Sequence, residues 1–232
     1  MSYSAFPLPD APLVNGRPTK LVQVNRADLD TSSLYLVPFA DMVNLSFEAG
    51  CRQPVMAPTQ RLTSHEQLLH ELEPGITIFL LVSRDDPGKV LASVCTEPCP
   101  SYLPGTIAPD PRDGHVWIPD PAPHNAREPR WTIKLLCVSP EAQKHGLGTW
   151  LMQVAEDAVR HSVRQQRANP EDDQVAEDCE SVRLVIVMVR ENNGVFYGNR
   201  GWTEIQERPM KPGFLGSEGG FTIVVMDKML RL

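Results

Sequence analysis

Leu135-Leu136-Cys137-Val138-Ser139-Pro140-Glu141-Ala142-Gln143-Lys144-His145-Gly146-Leu147-Gly148-Thr149 is the stretch on which the fold turns. Its opening residues finish an apolar run that starts at Trp131, which reads as a strand. Ser139-Pro140-Glu141 turns the chain. Leu147, Trp150, Leu151, Val154, Ala155 and Ala158 then recur at i, i+3, i+4, i+7, i+8 and i+11, one apolar face of a long helix. A strand running into a glycine-bearing helix start leaves consecutive backbone N–H groups facing outward, with the positive end of the helix dipole behind them. That is a ready site for a pyrophosphate. Small residues at 146 and 148 let phosphates approach the backbone, although the same glycines also suit tight packing of helix on sheet. The segment is neither Gly-x-x-x-x-Gly-Lys-Ser/Thr nor a three-glycine dinucleotide fingerprint.

On the N-terminal side, residues 97–130 hold nine prolines in 34 positions and read as a loop-like insertion. Before it, Ile76–Val82 and Val90–Val94 flank Asp85-Asp86-Pro87-Gly88, turn chemistry between the strands of a hairpin. Ser64–Leu72 reads as a short helix stopped by Glu73-Pro74-Gly75, and helical material is expected from Ala27 to Gly50. Leu21–Val24 is a short strand, and residues 1–18, with four prolines and no periodicity, form an N-terminal arm. The remainder, 19–232, reads as one domain.

On the C-terminal side, Glu171–Glu180 carries six acids, so an acidic loop is expected at about 168–181, followed by a strand at Val182–Met188. A short helix near Asn193–Asn199 and strands at Trp202–Ile205 and Phe221–Met226 complete the chain.

Composition narrows the function classes. The 232 residues carry 22 Lys and Arg against 29 Asp and Glu, a formal net charge of −7, which argues against a nucleic-acid partner. Five cysteines at irregular positions build no disulfide framework, and free thiols point to a reducing, cytoplasmic setting. No window approaches the ~18 apolar residues of a membrane span, so no membrane partner is expected. Cys95, Cys99, His115 and His124 match no zinc spacing, and no metal is expected.

Gln143-x-x-Gly146-x-Gly148, after a strand ending Leu136-x-Val138-x-Pro140, resembles the acyl-CoA-binding motif of the GNAT superfamily of N-acyltransferases, usually Gln/Arg-x-x-Gly-x-Gly/Ala. Phe196-Tyr197-Gly198-Asn199-Arg200-Gly201-Trp202 is similar to the same family's Tyr-x-x-x-Gly-Phe/Tyr, and follows in the expected order. The resemblance covers about residues 20–231. It implies an α/β (α+β) GNAT fold: a central mixed, mostly antiparallel sheet of six to seven strands, splayed parallel fourth and fifth strands, and helices on both faces.

It also implies the chemistry. The co-substrate is acetyl-CoA, its pantetheine arm inserted between the splayed strands, and the partner is an amine acceptor. By this resemblance the Leu136 amide polarises the thioester carbonyl, Cys137 and Val138 flank the pantetheine, and Gln143, Lys144, His145, Gly146, Leu147, Gly148 and Thr149 surround the pyrophosphate. Tyr197 stands near the sulfur as proton or hydrogen-bond donor, or packs beside Phe196. Asn192 and Asn193 are candidate CoA contacts, although the family's usual asparagine position holds Arg190 here. The family's strand glutamate, a general base in some members, aligns with Thr132, which leaves Glu71, Glu204 or another group acting through water as substitutes. In the family the acceptor is selected by segments that fall here at about 46–60 and 206–220. Two functions stay open: acetyl transfer to the primary amine of a small molecule or peptide, and a CoA-binding module without turnover.

Overall fold

The computed structural model describes residues 6–29, 33–50, 61–99, 129–168, 179–213 and 217–232. Seven strands form one sheet: β1 (Thr19–Asn25), β2 (Thr77–Ser83), β3 (Val90–Pro98), β4 (Arg130–Val138), β5 (Ser181–Val189), β6 (Thr203–Met210) and β7 (Phe221–Arg231). Their spatial order is β1-β2-β3-β4-β5-β7-β6. All neighbours are antiparallel except β4 and β5. Among the described residues the α-helices are α1 (Leu36–Gly50), α2 (His65–Glu71), α3 (Leu147–Arg167) and α4 (Arg190–Gly198).

Two apolar cores cover the two faces of this sheet. β2 and β3 are buried along nearly their whole length, so they read as continuous apolar runs rather than as alternation. One core packs the Leu147, Leu151, Val154, Ala155 and Ala158 stripe of α3 against Phe79, Leu81, Ala92 and Leu184. The other packs Phe39, Met42, Val43 and Leu68 of α1 and α2 against Ile78, Leu80, Val82 and Cys95.

Several boundaries differ from the sequence expectation, each for a local reason. Helix α1 starts at Leu36 instead of near Ala27, because Asn25 and Asp28 cap a separate 3-10 turn at Arg26–Asp28. Strand β3 runs on through Glu97, so the first residue assigned to the proline-rich insertion lies in the sheet. Strand β6 extends to Met210 with Pro209 inside it, which an edge strand tolerates. The connection to β7 therefore spans 211–220 rather than 206–220. In the arm, Val14 is buried and Phe6 meets the Phe79 ring edge-on at 5.8 Å. Most of the proline-rich and acidic stretches lies outside the described residues.

The site is made by a failure of pairing. β4 and β5 pair at Arg130–Arg183, Trp131–Leu184 and Thr132–Val185 and then part, although both strands continue for several residues. β5 stays paired to β7 throughout, and β4 stays paired to β3 with a bulge that sets Leu135 and Leu136 against Val94 alone. Leu135 sits at φ 48, a left-handed conformation uncommon for leucine. The buried Ser93 hydroxyl holds it by donating to the Leu135 carbonyl at 2.8 Å.

Candidate active site

The open side of β4 presents specific amides. Ser139 N–H bonds the Leu91 carbonyl on β3 at 2.8 Å, so by strand alternation the amides of Val138 and Leu136 face away from β3, into the splay. The Val138 amide there donates to the Ser46 hydroxyl of α1 at 3.2 Å. Leu136 and Val138 are themselves half-buried, packed against the α3-side core.

Beyond β4 a 3-10 turn at Pro140–Ala142 leads into the glycine loop, pinned by buried Ala142. The Gln143 side-chain Nε2 donates to the Val138 carbonyl at 3.2 Å, tying the loop to the strand end. Lys144 and Gly146 both have positive φ, 67 and 73, on either side of His145. Left-handed residues in a turn direct N–H groups to one concave side, an anion-binding nest, here at the head of a 21-residue helix. The two glycines do different work. Gly146 supplies the left-handed backbone with open space around it, whereas a Cβ on Gly148 would come within 3.4 Å of the Phe196 ring.

This cleft of about 250 Å³ is lined by Val138, Ala142, Gln143, Lys144, Gly146, Leu147, Gly148, Thr149, Phe196 and Arg200. Most of the pyrophosphate positions expected from sequence thus meet in one cleft. His145 is exposed and is not among its lining residues. Asn192 and Asn193 lie in the first turn of α4, away from the lining. Nearby, Arg190 is held by Glu204 and Glu207 of β6. Phe196 and Arg200 also line the cleft, and neither was expected there from the sequence. The signal was present, since both lie within four residues of Tyr197 in the quoted motif.

Tyr197 is buried, 5% exposed, with its ring edge-on to Phe196 at 5.0 Å and to Trp202 at 5.8 Å. Burial pushes its hydroxyl well above the ordinary phenol range, with the Cys137 thiol adding to the rise and Arg200 opposing it. Cys137 faces the α1 side and packs against that core. Burial pushes its thiol up to about 11, opposed by hydrogen bonds to Ser46 and Ser93 and by the Arg61 charge.

The carboxylates divide sharply. Glu71 is gripped by both terminal nitrogens of Arg61, at 2.7 and 2.6 Å, and Glu204 is paired with Arg190, so both substitute bases are already engaged. Directly across from Thr132 in the sheet register stands Glu97 of β3, 2% exposed and ion-paired with Lys134. Burial raises its carboxyl, against the pull of Lys134, with Glu73 adding to the rise. The sequence reading assigned Glu97 to a loop and so could not bring it beside Thr132. Among the described residues, no group of three or more His, Cys, Asp or Glu could hold a metal ion. His115 and His124 lie outside those residues, and Cys95 is buried. No helix among them is long and apolar enough to cross a membrane.

A sequence model of the acetyltransferase (GNAT) family matches residues 47–176, more than half the chain. The chain belongs to the GNAT family. The fold of this GNAT protein is shared by solved structures of low sequence identity. Escherichia coli ElaA is 12% identical with a TM-score of 0.50, covering 90% of this chain and 99% of its own. The structure of yncA from Salmonella typhimurium with its cofactor acetyl-CoA is 12% identical at a TM-score of 0.51, covering 91% and 94%. A chain of the NatC complex bound to Gag peptide and CoA is 12% identical at 0.50, covering 91% and 99%. No curated protein matches this GNAT protein by sequence.

Proposed function

We propose that the protein is an N-acetyltransferase that moves the acetyl group of acetyl-CoA to a primary amine of a small molecule or peptide by direct attack in a ternary complex. The observation that carries this is the parting of β4 from β5 beyond Thr132, with inward-facing strand amides opening onto the Lys144–Gly146 nest. The residues fit the co-substrate: a β4 edge beyond Thr132 that β5 does not pair, for a pantetheine amide, and nest, helix terminus and Lys144 for a pyrophosphate. Two similar folds, yncA and the NatC chain, come from structures containing acetyl-CoA or CoA, which supports the same ligand class here.

In the reaction the amine nitrogen forms a bond to the thioester carbon, the carbon–sulfur bond breaks, and the thiolate leaves with its electron pair. The Leu136 amide is assigned to the developing oxyanion, where a fixed donor stabilises charge most. Tyr197 is assigned a hydrogen bond to the departing sulfur. Cys137, with its thiol pushed up to about 11, stays protonated near neutrality and is a poor acyl carrier, which favours direct attack over an acyl-enzyme. The proton lost by the amine passes to water. The net charge of −7 favours amines over nucleic-acid-bound acceptors, and the unpaired thiols favour the cytoplasm.

Incubating the protein with acetyl-CoA and a panel of primary amines, with free thiol followed by a chromogenic reagent and products by mass spectrometry, tests this. Amine-dependent thiol release matched by acetylated amine is expected. The second reading, a CoA-binding module without turnover, is favoured by the lack of a carboxylate at Thr132. It predicts bound acetyl-CoA and no thiol release with any amine.

A further inference from the structure

Arg200 lines the glycine cleft. One terminal nitrogen donates to the Phe196 carbonyl at 2.6 Å, and the other donates to the Thr149 hydroxyl on α3. The guanidinium carbon lies 3.8 Å from the centroid of the Phe196 ring. These contacts fix a planar cation between the end of α4 and the first turn of α3. They use one hydrogen on each terminal nitrogen and leave the second hydrogen of each for an acceptor in the cleft that Arg200 lines. An unsatisfied charged donor is costly unless something accepts from it. The Phe196 ring in turn packs over Gly148, where a Cβ would meet it at 3.4 Å.

The geometry points to Arg200 as a side-chain clamp on the pyrophosphate of the acyl-CoA, selecting thioesters carried on a phosphorylated nucleotide over simple pantetheine thioesters. This rests on the acetyl-CoA reading of the cleft. The backbone nest supplies partial charges only, and Lys144 is an exposed, mobile point charge on a helix-head loop. A guanidinium stacked on an aromatic ring and tethered at both ends is preorganised, so little rotamer freedom is lost when it takes a phosphate oxygen.

The test uses the full chain and three probes: CoA, dephospho-CoA, which keeps the pyrophosphate but lacks the 3′-phosphate, and acetyl-pantetheine, which lacks all phosphates. Arg200→Met keeps the apolar stem over Phe196 and removes the charge. Its dissociation constants for CoA and dephospho-CoA should rise together, by ~10 to 150-fold, the range of one charge-assisted hydrogen bond. The circular dichroism spectrum of Arg200→Met should match wild type, which reports an intact fold, and its affinity for acetyl-pantetheine should change far less than its affinity for either nucleotide. Arg200→Lys should recover part of the affinity. Unchanged affinities in Arg200→Met overturn the clamp while leaving the acetyl-CoA reading standing. A loss confined to CoA overturns it in favour of a 3′-phosphate contact. A wild-type protein that binds neither nucleotide overturns both.

Discussion

A phenol buried between two aromatic rings and raised above its usual acidity range is a weaker acid than the CoA thiol, whose pKa resembles the ~8.5 of cysteine. Tyr197 is therefore suited to donate a hydrogen bond to the leaving sulfur rather than to surrender its proton. A hydrogen bond to a charged group contributes about 1.5 to 3 kcal/mol. Tyr197→Phe, which keeps the ring contacts to Phe196 and Trp202, should lower kcat by ~10 to 100-fold, with the acetyl-CoA dissociation constant changed less than about threefold. Steady-state kinetics and a binding titration check both values. Full kcat would make Tyr197 a packing residue. Cys137 yields a pH prediction. With its thiol up at about 11, raised from the usual value near 9, the thiolate is scarce at pH 8 and grows as pH climbs through 11. Alkylation at Cys137, followed by mass spectrometry, should be slow at pH 8, with about one thiol in a thousand ionised, and should accelerate roughly tenfold per pH unit up to pH 10. Fast labelling at pH 8 would mean that the burial at this site is not sustained.

The decisive element is β4, which pairs fully with β3, bulges at Leu135 and Leu136, and loses β5 beyond Thr132. Ser93→Ala removes the donor to the Leu135 carbonyl inside the sheet, leaving a strained left-handed leucine with an unpaired acceptor. A cost of about 1 to 3 kcal/mol is expected by denaturant titration. A loss of turnover should accompany it, because the bulge sets where the Leu136 amide points. Stability unchanged within about 0.5 kcal/mol would show that the bulge holds itself without the serine. The elements were legible in sequence where periodicity and turn chemistry agreed: the α3 stripe, the Asp85–Gly88 hairpin and the strand at 182–188. The bulge was not, because nothing in Leu135 announces a positive φ that Ser93, some forty residues away, imposes. Nor was the length of β6, expected to stop at Ile205, because Pro209 within it is tolerable where the sheet edge leaves its missing N–H unneeded. The start of α1 was misplaced since capping chemistry at Asn25 and Asp28 also terminates a single 3-10 turn.

At the scale of the molecule, two motifs some fifty residues apart close one cleft, the glycine loop from one side and the Phe196–Arg200 segment from the other. Sequence order foretold the loop because its chemistry is local, backbone donors beside glycines. The cross-chain partners, Arg200 with Thr149 and Glu97 beside Thr132, depend on sheet register and helix packing, which spacing alone does not encode. The acceptor side was the least legible for the same reason. Gly146→Asp probes the whole assembly, since its φ of 73 penalises any side chain by about 1 to 2 kcal/mol while the space around its Cβ leaves the fold intact. The added carboxylate would repel a pyrophosphate at the proposed site. Isothermal titration of acetyl-CoA into the wild type and into this variant is the most direct measurement. Saturable one-to-one binding by the wild type, weakened more than about tenfold in a folded Gly146→Asp protein, is the predicted result. Equal affinity in the two proteins, or no binding by the wild type, would contradict the placement of acetyl-CoA in the cleft between β4 and β5.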